Sequence, residues 1–82
     1  MTNAAIREEC LRPFDKGWEP PTGDEVRYVL KKAGLTGAAA ARLTGIKDSR
    51  TVRRWTGGET PILFSPWAIL CEVAGLGQIW KE

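Results

Sequence analysis

This sequence has no histidine and only two cysteines in 82 residues. With no imidazole, and with Cys10 and Cys71 far apart in the chain, nothing completes a metal site. There is no paired nucleophile and base and no glycine loop shaped to cradle phosphate, so the residues do not point to an enzyme or a bound cofactor. The apolar residues are dispersed, and no run approaches the roughly 20 needed to cross a bilayer as a helix. The opening Met1-Thr2-Asn3-Ala4-Ala5-Ile6-Arg7-Glu8-Glu9 lacks the basic-then-apolar order of a signal peptide. The expectation is a soluble, cytoplasmic protein whose cysteines are two buried thiols. A disulfide tying the N-terminal segment to the last helix is the alternative.

The net charge is also small, +2, but it is unevenly spread. Residues 1–30 carry four bases against six acids, and residues 55–82 carry one base against three acids. Residues 31–54 hold seven of the twelve bases with a single acid, Asp48. Such a basic stretch is the electrostatic footprint of a nucleic-acid binder. A chain this short makes one small domain with a thin core. Four Trp, two Phe and one Tyr compensate, because large rings bury much area at little conformational cost.

Punctuation along the chain predicts helices. Asn3 caps a short helix through about Arg12, which Pro13 stops. Residues 13–23, with three prolines and two glycines, read as irregular chain pinned by Phe14 and Trp18. Thr22-Gly23-Asp24-Glu25 is a capping box opening a helix to about Ala33, with Val26, Val29, Leu30 and Ala33 inward and Gly34 as its stop. Lys31 and Lys32 suit the dipole at its end. Thr36 caps a helix from Gly37 to Thr44, whose alanines allow another helix to cross closely. Gly45 supplies a turn, and Asp48 or Ser49 caps a helix from Arg50 to Thr56. There Val52 and Trp55 face inward, while Arg50, Arg53 and Arg54 stay outside. Pro61 to Phe64 is an extended apolar connection. Ser65-Pro66 reads as a cap with proline at the first helical position, opening a helix to about Ala74 with Trp67, Leu70, Cys71 and Val73 or Ala74 inward. The apolar tail from Leu76 to Trp80 packs back or meets a second subunit.

Two helices joined by a short glycine turn, the second apolar inside and basic outside, form a helix-turn-helix. The major groove of B-DNA admits one α-helix, and the first helix of such a pair holds the second in place. Leu35-Thr36, Ala41-Arg42-Leu43-Thr44-Gly45-Ile46, Arg50-Thr51-Val52-Arg53-Arg54-Trp55 and Gly58-Glu59 together resemble the Cro/λ-repressor (XRE) class of regulators across about residues 24–76. The turn from Gly45 to Val52 has one residue more than that pattern, and Gly37 stands where the class often has glutamine. The resemblance implies an all-α, compact four- to five-helix bundle containing a λ-repressor-like helix-turn-helix. Residues 1–23 lie outside the resemblance and are expected, from their own residues, to form a short helix and irregular segment packed on the domain. Residues 24–82 form the DNA-binding domain with a C-terminal packing or dimerisation helix.

The resemblance also implies a sequence-specific transcription factor, usually a homodimer, of the small kind found on phages, plasmids and other mobile elements. So small a regulator is expected to be a repressor acting on double-stranded DNA through an inverted repeat. Carried over by position, Ser49, Arg50, Arg53 and Arg54 are candidates for base edges, since an arginine fork matches guanine O6 and N7. Thr36, Gly37, Lys47 and Thr51 are candidates for phosphates. Thr36 is first a helix cap, and Trp55 is core. The competing reading is a protein-binding module, such as a small antitoxin or inhibitor, turning the same basic helix to an acidic partner.

Overall fold

A computed structural model describes residues 6–81, which form four α-helices: α1 (Gly23–Ala33), α2 (Gly37–Thr44), α3 (Ser49–Thr56) and α4 (Phe64–Val73). Two short 3-10 turns, Glu8–Leu11 and Phe14–Lys16, precede them, and no strand occurs among the described residues. The fold is all-α, as the pattern of caps and glycines predicts.

Local chemistry sets most helix ends. Thr22 Oγ1 accepts from the Glu25 N–H at 3.2 Å, and the Glu25 carboxylate accepts from the Thr22 N–H at 2.6 Å, completing the capping box of α1. Gly34 closes α1 at φ +71°, where a side chain would be strained. Thr36 Oγ1 accepts from the Ala39 N–H at 3.1 Å at the start of α2. Packing then joins the pieces. α2 lies against α3 and α4, and α1 against the same two helices. Ala40 and Ala41 are buried in that contact, where their lack of bulk lets helices approach. Val26, Val29, Val52, Leu70 and Trp67 fill the centre. Trp67 is fully buried, and truncating it to alanine would cost on the order of 3–5 kcal/mol.

Between α1 and α3 the approach is backbone on backbone. A Cβ placed at Gly23 would run into the Thr56 carbonyl and lie 2.9 Å from the Gly58 nitrogen. Arg27 donates from its guanidinium to the same Thr56 carbonyl. The C-terminal end of α3 is thus seated directly on the first turn of α1.

Three sequence expectations change, and one open alternative is decided. Asn3 lies outside the described residues, and the segment it was to cap appears as the 3-10 turn Glu8–Leu11. Tertiary partners set that geometry. The Cys10 carbonyl accepts from Trp67 Nε1 at 2.7 Å and from Trp18 Nε1 at 3.1 Å. Trp18 therefore fastens the segment, whereas Phe14 stays 66% exposed, touching Trp18 and Phe64 ring to ring at 6.0 and 5.7 Å. The last helix begins at Phe64, with extended Leu63 as a cap that offers no side-chain hydrogen bond. Pro66 sits within the first turn, where its missing N–H leaves no bond unmade. The inward position near the end of α4 is Ala74, since Val73 is exposed.

Cys10 and Cys71 are free and buried. Burial pushes the Cys71 thiol up to about 12 and, aided by the negative charge of Glu25, the Cys10 thiol up to about 11. Both remain protonated and inert as nucleophiles at neutral pH.

Candidate nucleic-acid interface

The α2–turn–α3 unit is built from its turn outward. Gly45, at φ +78°, ends α2, and the Ile46 N–H closes onto the Ala41 carbonyl at 2.8 Å. Ile46 packs against the core and draws the chain round. Lys47 stays exposed in the turn. Asp48, in extended conformation, then caps α3 by accepting the Arg50 N–H at 2.9 Å. Asp48, not Ser49, is the cap, so α3 begins one residue earlier than the sequence suggests.

α3 has two chemically distinct faces. Val52 and Trp55 are buried against the bundle. Arg50, Arg53 and Arg54, at i, i+3 and i+4, are exposed together on the opposite side. At 100° per residue Ser49 falls on one flank of the arginine face and Thr51 on the other, and both are half-buried. Arg53 and Arg54 make no side-chain hydrogen bond or ion pair among the described residues. Arg50 differs, because its Nε donates to Asp48 Oδ2 at 3.0 Å. The Arg50 backbone N–H, then its guanidinium, hold the Asp48 carboxyl below its usual range.

The phosphate candidates lie around this helix. Gly37 begins α2 directly over it, since a Cβ at Gly37 would touch Val52 Cγ1 at 4.0 Å. Thr36 is exposed beside it, its oxygen engaged in capping and its hydroxyl proton left to donate. Lys47 adjoins the first turn of α3. Arg42, exposed in the last turn of α2, belongs to the same basic segment, though neither a cap nor its spacing singles it out. The Asp48–Arg50 contact is missing from a helical-wheel reading because residues two apart do not meet on a helix. It forms because Asp48 stands outside α3.

A transcriptional repressor protein KorC of Escherichia coli is 56% identical over 85 residues, covering all of this chain and 99% of the relative. A second Escherichia coli KorC is 55% identical over 83 residues, covering 99% of this chain and 96% of its own length. The chain belongs to the KorC family of transcriptional repressors. No protein-family model matches it. No solved structure matches it either. Because the similarity to KorC runs end to end, it takes in the N-terminal segment as well as the helix-turn-helix.

Proposed function

We propose that this protein represses transcription by placing α3 in the major groove of duplex DNA, in the manner of the Cro/λ-repressor class it resembles. The observation that carries this reading is an arginine face, largely without internal partners, on a helix whose other face is buried in the bundle. In a chain 56% identical to a named repressor, such a face has an evident use. Arg50, Arg53 and Arg54, with Ser49 at their edge, meet base edges. Thr36, Gly37, Lys47 and Thr51 meet the phosphates that fix register. The protein works in the cytoplasm, where bound protein occludes a promoter.

It binds as a homodimer. Phe64, Ser65, Ala68, Ile69 and Trp80 line an open, mainly apolar hollow of about 300 Å³, and Leu63 and Val73 are exposed close by in sequence. Exposed apolar surface of this kind favours a protein partner. α4 packs on α1 and α2, so a second copy seated on its outer side leaves both arginine faces free. A two-fold dimer reads an inverted repeat with half-site centres about 34–36 Å apart. Selection of bound duplexes from a random pool, with solution mass measured on the same sample, tests this. The expected result is an inverted repeat and twice the chain mass. A lone asymmetric motif bound by a monomer refutes the dimer, and no enriched motif refutes sequence-specific binding.

A further inference from the structure

Asp48 is the only acid in the basic segment, and it stands at the start of the helix that carries the arginine face. Its two carboxylate oxygens both engage one residue. Oδ1 accepts the Arg50 backbone N–H at 2.9 Å, and Oδ2 accepts Arg50 Nε at 3.0 Å. The backbone bond fixes the carboxylate relative to the helix axis. The side-chain bond then fixes the guanidinium relative to the carboxylate. A guanidinium has five N–H donors, and this arrangement uses one, leaving both terminal amino groups of Arg50 free.

We propose that Asp48 is a positioning residue that holds Arg50 as a preset fork for one guanine, so that base preference at that position depends on an acid that touches no base. The proposal rests on α3 entering the major groove. An exposed pair of this kind contributes little to folding, and its value is geometric. A free arginine explores many rotamers and must lose them on binding, whereas Arg50 is already held by Nε and presents its terminal pair to guanine O6 and N7. Water leaving the groove on association lowers the local dielectric and tightens the same contact. An acid near DNA phosphates otherwise opposes binding, so Asp48 exchanges some general affinity for discrimination.

The experiment compares per-position base preference, by selection from a random duplex pool, for the native protein and for Arg50→Ala, Arg53→Ala, Arg54→Ala, Asp48→Asn and Asp48→Ser. Asparagine and serine both cap helices well, and neither carries the charge, so loss of folding is separated from loss of the latch. Circular dichroism verifies helix content. Arg50→Ala identifies the guanine it reads. Both Asp48 variants are expected to reduce the preference for that guanine by roughly two- to tenfold, the cost of immobilising one flexible side chain. Other positions stay unchanged, and binding to random duplex holds or rises. An unchanged profile, or an even loss at every position, would overturn the latch. So would an Arg50→Ala variant with native preference while Arg53→Ala or Arg54→Ala alters it. If none of the three arginine variants changes any position, the groove reading itself fails, and the latch with it.

Discussion

Replacing Glu25 by glutamine should remove a buried, heavily bonded charge and change how the protein responds to acid. Glu25 is 5% exposed. Its Oε2 accepts from the Arg7 backbone N–H at 2.9 Å and from Arg7 Nε at 3.1 Å, and its Oε1 accepts from Arg7 Nη2 at 3.1 Å and from the Thr22 N–H at 2.6 Å. Burial alone would raise its carboxyl, but the bonds from the Arg7 side chain, the Arg7 N–H and the Thr22 N–H outweigh burial and hold it down at about 2, against a usual 4.5. That difference corresponds to roughly 3 kcal/mol of stability. Breaking a buried pair by removing one partner costs a similar ~3–5 kcal/mol, with the lower end apt here because the Arg7 side chain is 44% exposed. The folded carboxyl is the stronger acid, so the unfolded chain takes up the proton first as pH falls. The contribution is complete above about pH 4.5 and disappears as pH drops towards 2, with about 2 kcal/mol of it gone by pH 3. Urea unfolding followed by tryptophan fluorescence at pH 6 and pH 3 measures this. Glu25→Gln should be about 3 kcal/mol less stable than native at pH 6, and the gap should narrow to about 1 kcal/mol at pH 3. An equal gap at both values would show that the charge contributes nothing and that only shape was lost.

Three further outcomes follow from the geometry. Gly23→Ala should destabilise the fold by about 1–3 kcal/mol in the same assay, because the added methyl meets backbone on α3 that has nowhere to go; unchanged stability would mean that α1 and α3 part freely. Lys47→Ala should weaken binding evenly across DNA sequences and lower the slope of log affinity against log salt by about one; an unaltered slope removes Lys47 from the phosphate contacts. Ile69→Glu, which places a charge beside the apolar hollow on α4, should give a folded monomer by sedimentation; a variant that stays dimeric places the interface elsewhere.

The sequence makes the helix-turn-helix legible because its boundaries are set by neighbours in the chain. Thr22 with Glu25, Thr36, Gly34 and Gly45 each act within a few residues, and the spacing of Val52 and Trp55 fixes which side of α3 is buried. The rest depends on contacts that span the chain. Glu25 reads as a cap, and nothing local announces that Arg7, 18 residues earlier, binds the same carboxylate. The 3-10 form of Glu8–Leu11 accompanies two indoles, of Trp18 and of distant Trp67, converging on the Cys10 carbonyl. Ser65-Pro66 carries a sound start signal, yet the helix begins two residues earlier, at Phe64, whose ring meets Trp18 edge-on at 5.2 Å. In the candidate site, the arginine face is visible in the spacing. The restraint on Arg50 is not, because it crosses from the turn into the helix.

Methylation interference on a selected binding site shows whether α3 lies in the major groove, since dimethyl sulfate marks guanine N7 in the major groove and adenine N3 in the minor. N7 methylation at specific guanines should block binding of the native protein. Arg53→Ala or Arg54→Ala should each abolish the block at one guanine, with a loss of about 1–3 kcal/mol confined to specific duplex. Interference restricted to adenine N3, or arginine variants that lose equally on specific and random DNA, would contradict that placement.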